Sequence, residues 1–175
     1  MNLPNKLTLL RIALIPIFII VLMTGHYAIS AVIFIVASST DALDGYIARK
    51  YDLITNFGKI MDPLADKLLV TAAFVCLVQL GDVAAWMVIV ILARELTITG
   101  LRAVAASEGI VIAAANSGKF KTVLQMLAIV ALLFQNYPFS LWHIPFAEAI
   151  LWAAIIMTIV SGAEYIVKNK KIFSM

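Results

Sequence analysis

Apolar residues run along this chain in six blocks of about twenty, separated by short polar or turn-forming breaks. A helix rising about 1.5 Å per residue needs about twenty such residues to cross a bilayer core of roughly 30 Å. By that measure the pattern predicts spans at about 7–24, 28–50, 62–80, 83–105, 119–137 and 145–167. Turn formers mark three of the links, at Thr24-Gly25, Gly81-Asp82 and Asn136-Tyr137-Pro138. The expectation is an all-α integral membrane protein of six transmembrane helices. It forms one membrane domain over residues 1–175, with no soluble domain, repeat or low-complexity tract.

Composition agrees, since 63% of the residues are hydrophobic and only 13% charged. The charges add orientation. All 13 Lys and Arg sit at the first end, around the second and fourth connections, or at the last end. None lies in the links at 24–28, 80–83 or 137–145. The positive-inside rule then places both termini in the cytoplasm of a multi-pass cell-membrane protein. The net charge of +3 is a topology signal with some attraction for anionic membrane lipids, not a nucleic-acid footprint. Arg11 interrupts the first apolar run and no small-residue cleavage site follows, so that run reads as a retained span rather than a signal peptide. Trp86, Tyr137 and Trp142 suit interfacial anchors at the outer face. A single cysteine, Cys76, excludes a disulfide framework and a Cys-type zinc site.

Against this apolar background stand four carboxylates between positions 41 and 66: Asp41, Asp44, Asp62 and Asp66. Each acid at a helix centre opposes insertion by roughly 2.5–3.5 kcal/mol. A Leu, Ile, Phe or Val returns only about 0.3–0.6 kcal/mol. A bound cation would offset that cost. Asp41, Asp44, Gly45, Ala48 and Arg49 fall on one helical stripe, and Gly58, Asp62 and Asp66 on another. Pro63 suits a first turn, which would put Asp62 at the entrance of the third helix. All-oxygen ligands without His or Cys favour Mg²⁺ or Mn²⁺, and four carboxylates suit two ions, as in phosphoryl transfer. Gly45 and Ala48 leave room for a bulky group, and Arg49 can meet phosphate oxygens. Simple salt bridges to Arg49, Lys59 and Lys67 are the bland alternative, but two matched stripes of acids are an unusual way to make them.

The string D-x2-D-G-x2-A-R-x8-G-x3-D-x3-D, complete from Asp41 to Asp66, resembles the signature of the CDP-alcohol phosphatidyltransferase family. The segments N-K-L-T-L-L-R at Asn5 to Arg11 and A-R-E-L-T-I-T-G-L-R at Ala93 to Arg102 are similar to the branch that makes phosphatidylglycerol phosphate. The resemblance implies a six-helix membrane fold and transfer of a phosphatidyl group from CDP-diacylglycerol to sn-glycerol 3-phosphate, with CMP released. It implies that Asp41, Asp44 and Asp62 ligate metal, and that Asp66 touches a second ion and acts as general base. Gly45, Arg49 and Thr55 would bind the CDP-diacylglycerol head, with Asn5, Thr8 and Arg11 closing over it. Members of the family often form homodimers, although no span here carries a decisive helix-pairing motif.

A dianionic acceptor calls for a basic pocket near Asp66. Arg94 and Arg102 share a face of the fourth helix, and Lys119 and Lys121 open the fifth on the same membrane side. These four are the expected acceptor-phosphate ligands, with Glu95 a candidate to orient Arg102. Glu164 is placed to pair with Lys168 one turn on. Rival readings keep the chemistry but change the acceptor to inositol phosphate, serine or phosphatidylglycerol. Others change the class, to an intramembrane prenyltransferase or a cation carrier. A carrier would want its acids near the midplane, and a prenyltransferase a second Asp-rich motif.

Overall fold

A computed structural model of the chain describes residues 2–51, 55–110, 112 and 116–170, with the side chains of residues 42–44, 46, 48, 49 and 59 outside that description. Among the described residues six long helices carry the fold: α1 (Leu3–Met23), α2 (Tyr27–Lys50), α3 (Asn56–Leu80), α4 (Ala85–Ser107), α5 (Asn116–Leu133) and α6 (Phe146–Lys168). A short 3₁₀ turn, Phe139–Trp142, lies in the link before α6. Each long helix matches one predicted apolar block. On length and composition α1, α3 and α6 are apolar enough to cross a membrane, and α2 adds a shorter apolar stretch, Tyr27–Asp41. Arg94, Glu95 and Arg102 interrupt α4, and Lys119 and Lys121 open α5.

The helix ends follow local chemistry. Asn2 caps α1 by accepting from the Asn5 backbone N–H at 3.1 Å, and Pro4 sits in the first turn, where no intrahelical N–H is needed. Gly81 ends α3 with φ of 86°, a left-handed conformation that glycine adopts without a Cβ clash.

The start of α3 corrects one expectation. The helix begins at Asn56, not at Asp62, and Pro63 lies inside it. Thr55 is the cap, its hydroxyl accepting from the Gly58 N–H at 3.0 Å. With that cap in place Pro63 forfeits one backbone bond, and the helix runs on through Asp62 and Asp66. Both acids therefore project from the body of α3.

Packing is tightest between α5 and α6 and where α1 meets α2 and α3. Phe18, Phe34, Leu69, Phe74, Leu77, Ile129 and Ile155 fill the core. Ala31, Ala37 and Ala73 let the backbones approach. Gln125 donates to Thr158 Oγ1 at 3.0 Å, satisfying a buried amide between α5 and α6. The outward faces are apolar too: Ile20, Ile60, Ile89, Leu96, Ile156 and Val167 are all exposed. Apolar surface on this scale has no place in water and suits hydrocarbon.

Candidate active site

Helix α1 lays three polar side chains, Asn5, Thr8 and Arg11, against the acid-bearing helices, and all three are buried. Arg11 is fully enclosed. Its Nη1 donates to Asp41 Oδ1 at 2.6 Å and its Nε to the Ala37 carbonyl at 3.2 Å. Thr8 Oγ1 lies 2.6 Å from Asp62 Oδ1 and 3.1 Å from the Pro4 carbonyl. One hydroxyl proton serves one acceptor at a time, and the shorter contact to an ionised oxygen takes it. Thr55 donates to Asn5 Oδ1 at 2.8 Å while accepting from Gly58 N–H, so cap, glycine and α1 form one chain.

Gly58 is where these groups close up. A Cβ there would stand 3.3 Å from Asp62 Oδ2, 3.3 Å from Thr55 Oγ1 and 3.4 Å from Asn5 Oδ1. Its place in the motif therefore has a steric reason: a side chain would push into the oxygen cluster.

Asp66 is one turn beyond Asp62. It lies within electrostatic reach of Arg11 and Asp41, on α1 and α2, and of Lys121 and Glu95, on α5 and α4. The acid thus joins the carboxylate group to a second cluster. There Glu95 Oε1 accepts from Arg94 Nη1 at 2.9 Å and from the buried Lys121 ammonium. Lys67 donates to Thr99 Oγ1 at 2.5 Å and ties α3 to α4 beside it. A cavity of about 220 Å³ opens between α3, α4 and α5. Asp66, Lys67, Glu95 and Lys121 form its polar end, and Val70, Phe74, Val88 and Ile91 its apolar walls.

The structure thus brings Asp66, Lys121 and Glu95 into one cavity, and pairs Asn5 with Thr55, Thr8 with Asp62 and Arg11 with Asp41 by hydrogen bonds. Gly45 lies on the same helix as Asp41, one turn towards its C-terminal end. The side chains of Asp44 and Arg49 lie outside the described residues. Arg102 and Lys119 are exposed rather than gathered into the cavity. Glu95 accepts from Arg94 and Lys121, whereas the sequence pointed to Arg102 as its partner. Its link to Lys121 joins residues 26 apart, and helical spacing holds no trace of it. The i,i+4 pair of Glu164 and Lys168 forms at 2.5 Å.

The donor chemistry fits a hard divalent cation. Asp41 and Asp62 offer carboxylate oxygens that are only partly enclosed, on adjacent helices, with no soft ligand nearby. Among the described residues no three acidic, His or Cys side chains converge closely enough to hold an ion by themselves. Arg11 already holds one carboxylate in place.

Residues 1–160 match the model of the CDP-alcohol phosphatidyltransferase family. A CDP-diacylglycerol–glycerol-3-phosphate 3-phosphatidyltransferase of Bacillus subtilis is 53% identical, over 96% of this chain and 95% of its own. Proteins of the same name from Rickettsia bellii and Pseudomonas fluorescens are each 40% identical. The first match covers 98% of this chain and 97% of the relative, the second 81% and 77%.

Proposed function

The chain belongs to the CDP-alcohol phosphatidyltransferase family, and on that premise we propose that it transfers the phosphatidyl group of CDP-diacylglycerol to glycerol 3-phosphate. The products are phosphatidylglycerol phosphate and CMP. One observation carries this reading: Asp66 lies between a carboxylate group held by α1 and a cavity whose polar end is lined by Glu95 and Lys121. A transferase needs that layout, with the donor's phosphates on one side of the base and an anionic acceptor on the other.

Asp41, Asp44 and Asp62 would hold Mg²⁺ or Mn²⁺, with Asp66 touching a second ion. When bound, such ions neutralise the pyrophosphate and polarise the phosphorus. The chain's own side chains do the rest. Arg11 and Thr8 each fix one oxygen, of Asp41 and of Asp62, by a hydrogen bond. Asn5, Thr55, Gly45 and Arg49 receive the nucleotide head. Arg94 and Lys121, both fixed by Glu95, hold the acceptor phosphate, and the exposed Arg102 and Lys119 add positive charge on its approach. Asp66 takes the proton of the acceptor hydroxyl. The freed oxygen bonds to the phosphorus that carries diacylglycerol, the bond from that phosphorus to the CMP oxygen breaks, and CMP departs.

All six helices cross the membrane in this reading, with both termini and the carboxylates at the cytoplasmic face. The distribution of Lys and Arg supports that orientation. It lets the acyl chains remain in the leaflet while the pyrophosphate meets the acids.

Protein purified in detergent, given CDP-diacylglycerol and Mg²⁺, should release CMP with glycerol 3-phosphate and not with serine, inositol phosphate or no acceptor. EDTA should abolish release. Release with a different alcohol would keep the chemistry and overturn the acceptor.

A further inference from the structure

Arg94 Nε and the Tyr165 hydroxyl are buried polar atoms with no hydrogen-bond partner among the described residues. A buried donor without an acceptor is unfavourable and calls for an explanation. Two glycines of neighbouring helices pack close against the Arg94 side chain. A Cβ on Gly162 of α6 would stand 3.1 Å from its Cγ, and one on Gly118 of α5 would stand 3.3 Å from its Nη2. Both glycines thus make room for the side chain, and Glu95 accepts from its Nη1.

Tyr165 is 4% exposed, and its ring packs with Ile98 and Leu101 of α4. Those residues lie between Arg94 and Arg102 along α4, two turns apart and about 12 Å at 1.5 Å per residue. Both arginines act electrostatically on the hydroxyl. Two such donors, one of them cationic, with Arg102 also in electrostatic reach of the hydroxyl, are the kind of groups that an oxyanion would satisfy.

We propose that Tyr165 is a specificity-determining residue for the acceptor, its hydroxyl donating to the acceptor's phosphate alongside Arg94 Nε. The inference rests on the acceptor reading above and adds a residue to it. A phosphate monoester satisfies both donors, whereas an alcohol without phosphate leaves them buried and unpaired, the situation in which polar sites discriminate most strongly.

The test is Tyr165→Phe in the full chain, which removes one oxygen and keeps the ring packing. The KM for glycerol 3-phosphate should rise about ten-fold, the scale of one hydrogen bond to a charged group. The maximal rate and the KM for CDP-diacylglycerol should stay within about two-fold, since the hydroxyl is assigned to the acceptor's phosphate and not to the donor. Without acceptor the variant should melt no lower than wild type, because the lost hydroxyl had no partner. The rise in melting temperature produced by glycerol 3-phosphate should shrink. An active wild type with an unchanged acceptor KM in Tyr165→Phe would overturn this inference alone. So would a lower melting temperature with every kinetic constant unchanged, since the hydroxyl would then be structural. A folded wild type that releases no CMP with glycerol 3-phosphate would overturn the acceptor reading and this one with it.

Discussion

Replacing Arg11 with Met removes a fully buried guanidinium while keeping most of its apolar stem. The pair it breaks joins Arg11, 0% exposed, to Asp41, whose side chain is 39% exposed. Removing one partner of a fully buried pair typically destabilises by about 3–5 kcal/mol. Water reaches Asp41, so the stranded carboxylate is partly screened and about 2–3 kcal/mol is the fitting estimate. For a chain of this length that corresponds to a fall of roughly 5–10 °C in melting temperature. The assay is thermal unfolding in detergent with EDTA present, followed by tryptophan fluorescence. Adding Asp41→Asn to the variant should recover a good part of the loss, because the amide no longer strands a charge. Arg11→Lys should fall between, retaining a cation but losing the Nε bond to the Ala37 carbonyl. Excess Mg²⁺ should narrow the gap between Arg11→Met and wild type by offering Asp41 another counter-charge. An Arg11→Met protein melting within about 1 °C of wild type in EDTA would refute the claim that Arg11 offsets this buried charge.

Other substitutions test neighbouring contacts. Thr8→Val loses the 2.6 Å bond to Asp62; stability should drop by about 1–2 kcal/mol, with a higher Mg²⁺ requirement in the CMP-release assay. An unchanged Mg²⁺ titration would separate Thr8 from the acid's positioning. Glu95→Gln leaves the buried Lys121 ammonium without its carboxylate, so melting should fall by several degrees and the acceptor KM should change; a neutral outcome in both would show the cluster to be ornamental. Gly58→Ala would ordinarily strengthen a helix by about 0.8–1 kcal/mol. Here the added methyl meets three oxygens, those of Thr55 and Asn5 already hydrogen-bonded to each other, so that gain should vanish and the KM for CDP-diacylglycerol should rise, whereas a higher melting temperature with normal KM would contradict the crowding.

Long apolar runs made the helices legible, because a span of hydrocarbon length has few other uses. The start of α3 was less so. Pro63 looked like a first-turn residue, yet Thr55 supplies a cap eight residues before it, and the helix absorbs one missing N–H. Aspartate spacing placed Asp62 and Asp66 on one stripe, since helical periodicity is local. What α1 contributes was not legible from spacing, because Thr8–Asp62 and Arg11–Asp41 join residues 54 and 30 apart. The family resemblance brought Asn5, Thr8 and Arg11 forward as nucleotide contacts. The structure shows the same three side chains bonded to Thr55, Asp62 and Asp41. The glycine gaps around Arg94 were invisible for a related reason: a glycine's neighbours are set by packing of other helices, not by its own sequence context.

The central claim is that Asp66 draws the proton from an acceptor hydroxyl at a site where the phosphatidyl group changes partners. It is met most directly by incubating purified wild type and Asp66→Asn with CDP-diacylglycerol, Mg²⁺ and isotope-labelled glycerol 3-phosphate, then weighing the lipids by mass spectrometry. Wild type should yield labelled phosphatidylglycerol phosphate in equal amount to the CMP released, and Asp66→Asn, melting like wild type, should yield neither. Labelled product from Asp66→Asn at the wild-type rate, or CMP released by wild type without labelled lipid, would contradict it.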